Sequence, residues 1–185
     1  MPTAARMTPE EYLEFEKRSD TRHEYVDGLL HAMAGETREH NRIVQNILLA
    51  LTPSVAARAC EIVIETVKLR TRKSRYRYPD VIVSCAPGGD RYFLENPCLL
   101  VEVLSESTSL TDTTEKLDEY LRIPSLQRYV LVEQIARRVI VYRRSAEGWM
   151  VEVLDGSGVI EVPRLESRLS LEQVYAGLSF EEPRS

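Results

Sequence analysis

A carboxylate set inside an apolar strand constrains this chain more than any other feature. Cys98-Leu99-Leu100-Val101-Glu102-Val103-Leu104 is an almost wholly apolar run, the pattern of a strand buried on both faces of a sheet. A strand of that kind needs cover on both sides, which means helices packed on a sheet. Glu102 interrupts the run. An unpaired charge in such a place costs several kcal/mol, or shifts its pKa until it neutralises. Glu102 therefore needs a structural ion pair, a proton or a cation.

The rest of the chain supplies the layers. Thr8-Pro9-Glu10-Glu11 reads as a helix start, with a capping hydroxyl, proline at the first position and acids at the positive dipole end. The helix is expected to reach about Lys17, burying Tyr12, Leu13 and Phe15. Asp27-Gly28 between short β-prone segments signals a hairpin. From Thr37 to Arg58 the spacing of His40, Ile43, Val44, Ile47, Leu48 and Leu51 is helical, with Pro53 as a point of kink or division. From Glu61 the period drops to two, with Val63, Glu65, Val67 and Leu69 on one face. Further strands are expected at Tyr78–Val83, Cys98–Leu104, Arg128–Glu133, Arg137–Arg144, Trp149–Leu154 and Val159–Val162. A helix opening at Ser109 or Thr111 and running to Arg122 follows the Glu102 strand. Ser170 caps a last short helix to Tyr175, stopped at Gly177. The reading is one α/β (α+β) domain over residues 1–185, a mixed sheet flanked by helices, with an N-terminal helix and hairpin and extra antiparallel strands at the C-terminal end.

Composition excludes several classes. No apolar run approaches the roughly 20 residues of a membrane span, and Met1-Pro2-Thr3-Ala4-Ala5-Arg6 has no secretory pattern behind it. Cys60, Cys85 and Cys98 are an odd set without metal-ligand spacing, which suits a reducing cytoplasm. The net charge of −5 speaks against non-specific coating of nucleic acid. Its distribution is uneven, however: Lys68, Arg70, Arg72, Lys73, Arg75 and Arg77 fall in one stretch with no acid among them. That stretch fits either a charged edge strand or a surface for nucleic-acid phosphates.

Several residues carry candidate chemistry. Asp80 follows Pro79 at the start of a strand, either as a turn acid or as a carboxylate at a sheet end. Hard divalent cations such as Mg²⁺ take one or two carboxylates, with water and phosphate oxygens completing the shell, so Asp80 and Glu102 form a candidate metal pair if they converge. On the following helix Asp112, Lys116 and Tyr120 recur at i, i+4 and i+8. Lys116 borders the apolar face, while Glu115, Asp118, Glu119 and Arg122 are expected to face solvent. Lys116 is either the partner of Asp112 or an ammonium aimed at developing charge. His40, on an apolar helix face, reads most simply as a satisfied core histidine.

Together these segments resemble the Uma-type endonucleases, a bacterial branch of the PD-(D/E)XK nuclease superfamily. The resemblance rests on His23-Glu24-Tyr25-Val26-Asp27-Gly28, Glu39-His40-Asn41-Arg42-Ile43-Val44, Tyr78-Pro79-Asp80-Val81, Pro97 and Val101-Glu102-Val103-Leu104-Ser105. Glu115-Lys116-Leu117 with Tyr120, and Ile123-Pro124-Ser125 through Val132, complete it. It implies a restriction-endonuclease-like fold, Asp80 and Glu102 as ligands of Mg²⁺ or Mn²⁺, and hydrolysis of nucleic acid, DNA above all. The lysine that the superfamily places two residues after the glutamate is absent, since Leu104 stands there. The resemblance moves that role to Lys116, with Glu24, His40 and Tyr120 as supporting groups. A homodimer is expected where one site per chain must cut two strands. The alternative is a nuclease fold that binds nucleic acid or a protein without cutting.

Overall fold

In the computed structural model, residues 6–86, 89–105 and 114–180 are described. Thr8 caps α1 (Pro9–Glu16) through a reciprocal capping box with Glu11. This helix buries Tyr12 and Glu16, whereas Phe15, expected inside, is exposed. Tyr12 stacks on Tyr25 at 4.8 Å between ring centres, and that aromatic contact fixes which face turns inward. The hairpin β1 (His23–Val26) and β2 (Leu29–Ala32) turns on Asp27 at φ 48° and Gly28 at φ 97°, the doubly left-handed turn that matches strand twist. Thr37 caps α2 (Arg38–Ala57), which runs undivided through Pro53.

The segment after α2 departs from the expected single strand. Its alternation is interrupted at Glu65, whose φ is 47°. Here β3 (Glu61–Ile64) ends and β4 (Lys68–Arg72) begins in another sheet. A period of two cannot reveal a change in the sign of φ, so the break is invisible in the hydrophobic pattern. β5 (Arg75–Arg77) then pairs with β4 and β1, and β6 (Val81–Ser84) returns to pair with β3. The remaining strands are β7 (Phe93–Leu94), β8 (Pro97–Leu104), β9 (Arg128–Glu133), β10 (Arg138–Ser145), β11 (Gly148–Asp155), β12 (Val159–Val162) and β13 (Ser167–Ser170). The helix α3 (Glu115–Leu121) connects β8 to its parallel neighbour β9, and α4 (Leu171–Val174) follows a Ser170 cap. The expected helix start at Ser109 or Thr111, and Asp112 with it, lie outside the described residues.

A five-stranded sheet runs β2-β1-β5-β4-β7 and a six-stranded one β11-β10-β9-β8-β6-β3, with β12 and β13 as a separate pair. The chain crosses between the two larger sheets at 65–67 and again at 78–80, and the crossings touch where the Glu65 amide donates to the Asp80 carbonyl at 3.3 Å. Alternation along β8 separates two cores. Leu99, Val101 and Val103 pack towards α2, together with Ile43, Ile47 and Leu51. Leu100 lies on the other face with Tyr120 and Leu131. Among the described residues no helix is long and apolar enough to cross a membrane.

Cysteine pairing also departs from expectation. Cys60 and Cys85 form a disulfide, and Cys98 is a buried free thiol. The antiparallel β3–β6 register, with Glu61 opposite Ser84, sets the two flanking cysteines face to face, which a spacing of 25 residues does not disclose. A cross-link closing a loop of that size is worth about 3 kcal/mol. Replacing both cysteines by serine is therefore expected to lower Tm by about 6–12 °C. Equal melting of the pair variant and the parent by calorimetry would show that the cross-link contributes nothing.

Candidate active site

Glu102 lies on the α3 side of β8 and is only 3% exposed. Two side chains of α3, one turn apart, meet it: Lys116 Nζ at 3.1 Å and Tyr120 Oη at 3.0 Å, both donating to Oε1. Burial, followed by the neighbouring charge of Glu102, raises the Tyr120 pKa well above its usual value, so Tyr120 stays a donor. Lys116 also contacts Glu24 of β1 at 3.3 Å. Glu24 in turn accepts from Arg77 Nη1 at 2.8 Å and from the Tyr78 amide at 3.3 Å. Burial pushes the Glu24 pKa up, but Lys116 and Arg77 outweigh it and hold the carboxyl below its ordinary value. Glu119, expected to face solvent, is buried. That side of α3 packs on β5, where Arg75 at 2.9 Å and Arg77 at 3.0 Å pair with Glu119.

Asp80 stands beside Glu102, just before the neighbouring strand, but the donor cluster it joins is made with His40 and Glu65 and does not include Glu102. Val81 pairs with Val101 in the antiparallel β6–β8 ladder, so one further step of register faces Asp80 with Glu102. The Asp80 carboxylate accepts from the Val103 amide at 2.6 Å, which fixes it at the end of the sheet. From the α2 side His40 Nε2 comes within 3.2 Å of the same oxygen. His40 Nδ1 lies 3.6 Å from Glu65 Oε1.

Donor atoms of His40, Glu65 and Asp80 all lie within 4.8 Å of one another. Glu65 is the residue the sequence reading missed. Its one signal was an acid among Ile62, Val63, Ile64 and Val67, hidden by treating the segment as a single strand. Glu65 holds its place at a backbone cost of about 1 kcal/mol for a left-handed non-glycine residue, and such strain gathers at functional sites. Burial lowers the His40 pKa, but its bond to Asp80 and the charges of Asp80, Glu36 and Glu65 raise it further, so the net shift is upward. Positive charge is favoured at this point. A cleft of about 430 Å³ opens on the cluster, lined by Arg22, Glu36, Thr37, Asn41, Glu65 and Asp80 among others. Two carboxylates and an imidazole beside a polar cleft are a donor set that fits a divalent cation.

The basic stretch does not form one surface. Arg77 is 2% exposed and held by Glu24 and Glu119. Arg75 is paired with Asp27 and Glu119. Arg70 is bonded to Glu95 and packed over Phe93, and Lys68 is buried over the Tyr78 ring. Arg72 and Lys73 face solvent. The acids that pair with Arg70, Arg75 and Arg77 come from β1, the β1–β2 turn, α3 and the β7–β8 turn, so their absence from the stretch itself carried no information.

Residues 9–178 match the Uma2 family, described as "Putative restriction endonuclease". The chain belongs to this family. An uncharacterised protein of Synechocystis sp. is 32% identical over 179 residues, covering 95% of this chain and 94% of its own length. A second uncharacterised protein from that organism is 31% identical over 156 residues, covering 81% and 88%. The crystal structure of a "putative nuclease" from Anabaena variabilis aligns with a TM-score of 0.74 at 22% identity, over 92% of this chain and 98% of that one. At that identity the likeness establishes the fold, mixed sheets flanked by helices. The family assignment and the nuclease-like fold together support a nuclease.

Proposed function

We propose that this chain is a metal-dependent endonuclease that hydrolyses phosphodiester bonds of nucleic acid, with DNA as its substrate, and that Asp80, Glu102 and Lys116 carry the reaction. The observation that bears most weight is the meeting of Asp80 with His40 and Glu65 beside a polar cleft that Glu65 and Asp80 line, one strand from Glu102. When bound, Mg²⁺ or Mn²⁺ supplies a Lewis acid for the phosphate and acidifies a water molecule. Asp80 presents a carboxylate to the cleft in an orientation set by the Val103 amide. Lys116 and Tyr120 fix Glu102 from behind, and Lys116 places positive charge beside the acids, where an anionic transition state would develop. Arg72 and Lys73 are the members of the basic stretch left to meet phosphates from outside. Cutting a duplex then calls for two copies, one per strand.

A second reading, a nuclease fold that binds without cutting, is favoured by one feature. Glu24, Glu102, Lys116 and Arg77 compensate one another, which a purely structural core would also do. Incubation with supercoiled plasmid and short duplexes separates the two. Nicked or linear product is expected with Mg²⁺ or Mn²⁺ and none with excess chelator. Absence of product with either ion, or unchanged cleavage under chelation, removes the metal-dependent reading.

A further inference from the structure

His40 is 1% exposed, and its Nδ1 has no hydrogen-bond partner among the described residues. The other ring nitrogen is engaged with Asp80. A neutral imidazole that donates from Nε2 keeps a lone pair at Nδ1, and here that lone pair lies 3.6 Å from Glu65 Oε1. That separation is too long for a hydrogen bond, and two acceptors facing each other across it repel. An orphaned buried nitrogen of this kind calls for an explanation, and something positive between the two atoms, a proton on Nδ1 or a cation, satisfies both. The proton leaves the 3.6 Å gap unclosed, whereas a cation bonds to both atoms. Water is the weaker candidate, since it brings no positive charge to the carboxylates of Glu65 and Asp80.

We infer that His40 is a nitrogen ligand of the cation, completing a His40–Glu65–Asp80 set that selects Mn²⁺ over Mg²⁺. The inference rests on the metal-dependent reading above and adds to it the identity of the ligands and of the metal. Mg²⁺ is hard, demands near-ideal oxygen octahedra and dehydrates reluctantly, whereas imidazole is a ligand of transition metals. A site built only from Asp80 and Glu102 would give no reason to prefer either ion. With His40 in the shell, Mn²⁺ gains a bond that Mg²⁺ uses poorly. Glu65 also acquires a purpose for its left-handed backbone, since that turn aims its carboxylate back at α2.

The test needs no substrate. Mn²⁺ is added to the full-length protein and pulsed EPR is recorded for ¹⁴N modulation, with a second sample grown on ¹⁵N-histidine. Nitrogen coupling that changes with the isotope is expected, together with calorimetric binding of Mn²⁺ at least about tenfold tighter than Mg²⁺, a difference of about 1.4 kcal/mol. In His40→Gln, which replaces the nitrogen donor by an oxygen, the coupling disappears and the two ions bind within about threefold of each other. The isotope experiment uses the unaltered chain, so a poorly folded variant does not remove the test. Mn²⁺ bound without nitrogen coupling overturns the inference, even if plasmid is cleaved. Nitrogen-coordinated Mn²⁺ in a protein that cuts nothing upholds the inference and removes the nuclease reading. Failure of Mn²⁺ to bind overturns both.

Discussion

Asp80→Asn is expected to reduce cleavage by about 10²–10³-fold, the scale of losing one pre-organised electrostatic group at the reacting centre. The substitution is close to isosteric. The side-chain oxygen of asparagine can still accept from the Val103 amide, the bond that anchors Asp80 at 2.6 Å, so melting should move by only a few degrees. What changes is charge: the cluster with His40 and Glu65 loses one of its two carboxylates, and cation affinity falls with it. Rates are compared under single-turnover conditions at several Mn²⁺ concentrations, beside thermal melts of both proteins. Cleavage within about threefold of the parent would place the chemistry elsewhere. Glu102→Gln is a less clean probe, because Lys116 loses a charged partner in a buried place and stability falls along with activity.

Arg77→Met is expected to destabilise the protein by about 3 kcal/mol, at the low end for removing one partner of a buried ion network. Arg77 donates to Glu24 at 2.8 Å, to Glu119 at 3.0 Å and to Glu115 at 2.9 Å, tying β5 to β1 and to α3. Burial disfavours its charge, but Glu24 and Glu119 outweigh that and raise its pKa further. Methionine fills part of the volume and leaves Glu24 with Lys116, and Glu119 with Arg75, as remaining partners, which keeps the loss from reaching about 5 kcal/mol. In a domain of this size the change corresponds to a fall in Tm of about 6–12 °C. Arg77→Lys keeps the charge but not the fork, and should recover part of the loss. Urea denaturation measures both, and a loss below about 1 kcal/mol for the methionine variant would mean that the network is not holding the sheets together. The parent also has an acid limit. The Glu24 pKa is depressed below its ordinary 4.5, so its contribution is full above that pH and is lost as pH falls through the lower folded value.

Much of the fold could be read from the sequence where one residue type settles a local question. Thr8 with Glu11, Asp27-Gly28, and Ser170 each mark an element boundary through chemistry confined to a few residues. Glu102 was legible because a charge in an apolar run needs a tertiary explanation, and the Lys116 spacing on α3 offered one. Legibility ended wherever the answer depended on a distant partner. Glu65 hid because alternation continues smoothly through a residue whose backbone has turned left-handed. Arg75 and Arg77 looked like a surface, since the acids that bury them lie 38 to 53 residues away along the chain. Cys60 and Cys85 gave no sign of pairing before strand register placed them opposite each other.

Glu65 and Asp80 stand at two of the places where the backbone passes between the six-stranded and the five-stranded sheets, and His40 reaches them from a helix packed on the larger sheet. An ion lodged there would act as a rivet through a seam. Rocking of one layer against the other would spread or close the donors, so grip on the ion and stiffness of the whole body would rise and fall together.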